Sequence, residues 1–149
     1  MNDYVNNLPF VALIDDDQYS AHLLTRMLLA HGSPDIHWYG NASDGLARLQ
    51  AVLGDVAAHW PGLLIVDLKS HSDANLEFVS SIRQFMRQKG VPIVVMVPTT
   101  LDREARQALH DAGASAVFFR HAELDAYRRE AAGIVSFWAR SQRLDAVGM

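Results

Sequence analysis

The chain has 149 residues, 50% hydrophobic and 20% charged, which suits one globular domain able to bury a core. Its net charge of −4 argues against general binding to nucleic acid or anionic membranes, and the lack of cysteine excludes a disulfide framework and thiolate chemistry. The N-terminal residues lack a signal-peptide pattern and no apolar run reaches the length of a membrane span, so the expected location is cytoplasmic.

Strand-like and helix-like segments alternate along the whole chain, the pattern of a parallel α/β sheet. Phe10–Ile14 is an apolar, partly β-branched run expected to be a buried strand. A helix is expected over Ser20–His31, with Leu23, Leu24, Met27 and Leu28 on its apolar face, stopped by Gly32-Ser33-Pro34. Ile36–Tyr39 reads as a weak strand, and Ser43–Ala57 as a helix striped by Leu46, Leu49 and Leu53. Pro61-Gly62 marks a turn before the strand Leu63–Val66. A polar loop, His71–Asn75, leads into the helix Leu76–Gln88, with Gly90 as its stop. Pro92–Val97 is almost wholly apolar and so expected to be a central strand. Asp102–Ala112 follows as a helix with Ala105, Ala108, Leu109 and Ala112 inward, then the strand Ser115–Phe119 and a last helix from Glu123 to about Arg140. There is no internal repeat, low-complexity tract or linker, so residues 1–149 are expected to form one domain with an extended C-terminal helix.

The chemistry is concentrated where strands end. Ala12-Leu13-Ile14 runs into Asp15-Asp16-Asp17, and Leu63-Leu64-Ile65-Val66 runs into Asp67. Parallel sheets bind ligands beyond the carboxyl ends of their strands. If these strands are neighbours, Asp15, Asp16 and Asp67 converge on one crevice. Clustered carboxylates need a cation or a proton to coexist, and hard oxygen ligands suit Mg²⁺.

The five βα units, the acid pair Asp15-Asp16 and the acid Asp67 resemble the receiver domains of two-component response regulators, from about Phe10 to Arg140. Val91-Pro92-Ile93-Val94-Val95 and Asp111-Ala112-Gly113-Ala114 match the family's fourth strand and its approach to the fifth. The resemblance implies a flavodoxin-like (βα)5 doubly wound sheet of strand order 2-1-3-4-5. It implies that Asp67 accepts a phosphoryl group from a kinase histidine, and that Asp15, Asp16, Asp67 and the backbone carbonyl of Lys69 hold Mg²⁺. The chain also departs from the family. The hydroxyl that ends strand four falls on Val97, the switch aromatic of strand five on Val117, the lysine on Arg120 and the proline after it on His121. In the loop after Asp67, the usual proline falls on His71 and the usual glycine on Asn75, which tolerates a left-handed backbone. Valine offers phosphate no hydrogen bond, a loss of about 1.5–3 kcal/mol of pull on the loop. Arginine keeps the charge but is planar and bulkier.

Gly133-Ile134-Val135-Ser136-Phe137-Trp138 is similar to the C-terminal signature of phytochrome-associated single-domain response regulators. That similarity implies a sensor histidine kinase, of phytochrome type, as partner, and a homodimer through the last helix. The expected function is a stand-alone receiver, not an enzyme, that signals by protein–protein contact. The alternative is a pseudo-receiver, never phosphorylated, acting as a constitutive interaction or dimerisation module. A flavin-binding or hydrolytic α/β enzyme is disfavoured, because there is no glycine-rich phosphate loop and no nucleophile elbow.

Other residues have plainer readings. Asp17 caps the first helix. His71 is a solvated loop histidine near the site, and the seven histidines show no zinc spacing. Tyr127, Ala131, Ile134 and Trp138 share one helical face expected to pack on the sheet, whereas Phe137 lies off it and is a candidate interface anchor. Asp102, Arg103, Glu104 and Arg106 are expected to form a solvated helix face.

Overall fold

A computed structural model describes residues 8–146 of the chain. Five strands alternate with five helices: β1 (Phe10–Asp15), α1 (Gln18–Ala30), β2 (Asp35–Gly40), α2 (Ala42–Leu53), β3 (Leu63–Asp67), α3 (Ala74–Lys89), β4 (Ile93–Pro98), α4 (Arg103–Ala112), β5 (Ala116–Arg120) and α5 (Leu124–Ala146). The strands form one parallel sheet in the order β2-β1-β3-β4-β5. This is the doubly wound flavodoxin-like architecture expected from the alternation of elements.

Burial follows directly from the sequence. β1, β3 and β4 are interior strands, and their unbroken apolar runs are buried on both faces. Side chains alternate between two cores. Ala12, Ile14, Leu64 and Val66 face the core that includes α2 and α3, while Leu13, Leu63 and Ile65 face the one with α1 and α5. The edge strands differ. β2 is largely exposed, and β5 is half-buried along its whole length. α2 packs tightly on β1, since a Cβ at Gly45 would sit 2.5 Å from Ile14 Cδ1.

The helix ends have local causes. Asp17 caps α1, its carboxylate accepting from Tyr19 N at 2.9 Å. Gly90 stops α3 in the left-handed conformation at φ 67°. α2 stops at Leu53, four residues before the expected Ala57, where Gly54 interrupts the helix and Val56 is exposed. α5 continues past Arg140 to Ala146, so the last helix is longer than its apolar stripe. α3 starts at Ala74, two residues earlier than expected, which places Asn75 inside the helix. Among the described residues no non-glycine residue has positive φ, so the left-handed backbone that Asn75 could tolerate is not used.

Tyr127, Ala131 and Ile134 are buried against the sheet as their spacing predicts, with Trp138 packed at the margin of the same core. Phe137 also packs on that core, its ring edge-on to Phe118 at 6.5 Å, and so is partly engaged within its own chain. Arg106 departs from the expected solvated face. Its guanidinium lies over the Phe119 ring at 5.5 Å, whereas Asp102 caps α4 by accepting from Ala105 N. Among the described residues, no helix is long and apolar enough to cross a membrane.

Candidate functional site

The parallel register of β1 and β3 pairs Asp15 with Asp67, so both acids emerge side by side at the carboxyl edge of the sheet. Both are fully buried, with 0% exposure. Two cations meet them there. Lys69 Nζ lies 2.7 Å from Asp15 Oδ1, 3.2 Å from Asp67 Oδ1 and 2.8 Å from the backbone carbonyl of Asp67. Arg120, at the end of β5, places Nη1 3.2 Å from the same Asp67 Oδ1. Ser20 Oγ, from the first turn of α1, donates to Asp67 Oδ2 at 3.3 Å.

Asp16 plays another part. Its carboxylate accepts the backbone N–H of Lys69 at 3.0 Å and of Ser70 at 2.9 Å, tying the loop after β3 to the end of β1. Asn75 holds the same loop from the far side. Its Oδ1 accepts from Leu68 N at 2.9 Å and its Nδ2 donates to Met96 O at 3.0 Å. The β3–β4 pairing ends at Val66 and Val95, so the buried amide of Asn75 carries the hydrogen bonding one step beyond the last ladder pair.

Burial, more than any other influence, pushes the Asp67 carboxyl up to about 6; the Lys69 charge opposes this, Asp15 adds to it and Arg120 opposes it. The folded site therefore favours a proton on Asp67 more than water does. Tyr127, behind the site, has its phenol pushed up mainly by burial. Its hydroxyl has no hydrogen-bond partner.

Every expected site residue lies at this edge, but two act differently from expectation. Lys69, whose backbone carbonyl was expected as a metal ligand, sends its ammonium between the acids. Asp16, expected as a ligand, spends its oxygens on backbone N–H groups. Val97 is buried in the core under α3 and α4 and lines a cavity of about 660 Å³ that opens beside Arg120. Val117 packs half-buried against that core. His71 is exposed and lies 3.4 Å from Glu77. Ser20 and the bracing amide of Asn75 were not singled out from the sequence as site residues.

A divalent ion fits this arrangement poorly. Among the described residues, no three acid, histidine or cysteine side chains are grouped to hold a metal ion. Mg²⁺ requires near-octahedral oxygen ligands, and here an ammonium already bridges Asp15 and Asp67. Asp15 Oδ2 is the one carboxylate oxygen of the cluster left buried without a partner.

No protein-family profile matches the chain, and no curated protein matches it. Solved structures do. The Mn²⁺-bound response regulator Rcp1 superposes with a TM-score of 0.69 at 20% identity, over 88% of this chain and 94% of that one. The fold is that of a response-regulator receiver domain. The phosphorylated cyanobacterial phytochrome response regulator RcpA gives 0.69 at 19% identity over the same shares of the two chains. The Vibrio cholerae chemotaxis protein CheY4 gives 0.66 at 17%, over 87% and 97%. At such identities the likeness extends to the receiver fold. Within that fold, Asp67 ends the third strand and Arg120 ends the fifth.

Proposed function

We propose that this chain is a stand-alone receiver protein that accepts a phosphoryl group on Asp67 from a sensor histidine kinase and signals through protein–protein contacts rather than as an enzyme. The observation that carries this reading is the Asp67 carboxylate at the end of β3, faced by the Arg120 guanidinium at 3.2 Å. One Asp67 oxygen attacks phosphorus, and the phosphorus–nitrogen bond to the kinase imidazole breaks with its electrons staying on that nitrogen. Positive charge beside the transferring oxygens lowers the barrier of such a loose transition state, and Arg120 and Lys69 bring it. Mg²⁺ is the ion that the receiver resemblance calls for, and Rcp1 holds Mn²⁺. The Lys69 ammonium stands against it here, and no step of the transfer described above uses a metal.

Two observations support a phytochrome-type kinase as partner: the Gly133–Trp138 stretch and the likeness to RcpA. The half-buried β5 edge beside α5 is the surface on which two copies would meet as a homodimer. The net charge of −4 supports a cytoplasmic protein without nucleic-acid or anionic-membrane partners.

The test is intact mass after incubation with a small acyl phosphate or a phosphorylated kinase, with Asp67→Asn as control. The expected result is one phosphoryl adduct on the native chain and none on the variant. The attacking carboxylate must be ionised, so adduct formation should fall about tenfold per pH unit below about 6. Because Val97 and Val117 replace the hydroxyl and the aromatic, hydrogen exchange of β4 and β5 amides should change little on phosphorylation; strong new protection there would contradict this.

A second reading is favoured by the full burial of Asp67 and by the two cations already on it. In that reading the domain is a constitutive interaction or dimerisation module. Failure of both donors to produce an adduct would select it.

A further inference from the structure

We propose that the Lys69 ammonium is the resident cation of this acid cluster, a covalently tethered replacement for a divalent ion that keeps such ions out. The proposal deepens the reading of the Asp67 site, but it concerns charge balance there and stands apart from whether phosphate is transferred.

Three oxygens, two from side chains and one from the backbone, lie within 3.2 Å of Lys69 Nζ, matching the three donors of an ammonium. Together with Arg120, the lysine sets two positive charges against Asp15, Asp16 and Asp67. Without a cation, two buried carboxylates paired across β1 and β3 would repel strongly.

The tether makes the lysine a strong competitor. Its own backbone N–H and that of Ser70 are fixed on Asp16, so the root of the side chain is held beside the crevice. An ammonium held this way acts at a high effective concentration, whereas a free ion must be captured and stripped of water. A divalent ion between Asp15 and Asp67 would also sit within a few ångströms of that positive charge. The Lys69 side chain is 27% exposed, so its path out to solvent is open and the exclusion is competitive. Removing the ammonium takes the cation from Asp15 Oδ1 and one of two cations from Asp67 Oδ1, which keep the Asp17 N–H and the Arg120 guanidinium respectively, beside Asp15 Oδ2, which already lacks a partner. The emptied crevice is then a carboxylate-lined cation site.

The experiment counts free Mn²⁺ by electron paramagnetic resonance during titration of the native protein, Lys69→Gln and Lys69→Arg. Lys69→Gln should bind one equivalent, at least about tenfold more tightly than the native chain. Lys69→Arg, which keeps the charge, should behave like the native chain. Thermal melts with and without Mn²⁺ form the second readout: the ion should stabilise Lys69→Gln and leave the native midpoint in place at matched ionic strength. If Lys69→Gln is unfolded without metal, refolding by Mn²⁺ gives the same answer. Tight binding by the native chain, or none by a folded Lys69→Gln, overturns the proposal. Both outcomes are read without phosphate, so they do not depend on the adduct experiment.

Discussion

Asp67→Asn should make the protein more heat-stable near neutral pH while destroying its capacity to take a phosphoryl group. The folded carboxyl titrates at about 6, above its ordinary value, chiefly because it is buried. A carboxyl raised in this way contributes its stability below the ordinary carboxylate range, and the contribution is lost as pH rises through about 6. Near neutrality the ionised group thus costs on the order of 2–3 kcal/mol, which a neutral amide of the same shape avoids. For a domain of this size that corresponds to a rise in melting midpoint of roughly 5–10 °C. At about pH 4 native chain and variant should melt together. The two cations limit the gain without reversing it: Lys69 keeps Asp15 and the Asp67 carbonyl, and Arg120 remains in contact with water. Melts at the two pH values check the sign, and a loss of stability near neutrality would contradict it.

Asn75→Leu should be the most damaging single change near the site that touches neither acid nor cation. The native amide satisfies Leu68 N–H and Met96 C=O, both in buried residues. Leucine has similar bulk but leaves a donor and an acceptor orphaned, each at about 1–3 kcal/mol. The summed loss of about 2–6 kcal/mol corresponds to a fall in midpoint of roughly 5–20 °C. Asn75→Asp should lose less at the Leu68 end, since a carboxylate oxygen still accepts there. Thermal or denaturant melts of the two variants separate the donor from the acceptor contribution.

The strands and the location of the site were legible because both depend on short-range pattern. Apolar β-branched runs ending in acid at Asp15 and Asp67 became interior strands with those acids at their carboxyl edge. Two features were not read. The position of the Lys69 ammonium depends on which rotamer a long side chain adopts, and pattern does not specify that. A clue was present, since residues two apart in extended chain project to one side, and Lys69 is two past Asp67. The polarity of residues 71–75 points to a loop that includes Asn75, whereas its carboxamide is buried at the start of α3 and braces two strands. Helix ends were blurred where polarity outlasted the apolar stripe, as in α5 beyond Arg140.

The first three residues of the loop after β3 are pinned, Lys69 and Ser70 by the Asp16 carboxylate and Leu68 by the Asn75 amide. Their conformational entropy is therefore surrendered on folding and not on association. A protein that docks over this pinned stretch meets a preshaped backbone and avoids part of the ordering cost of about 0.5–1.5 kcal/mol per immobilised side chain. Recognition there would be close to lock-and-key, with affinity set by the shape and charge of the loop rather than by its readiness to fold.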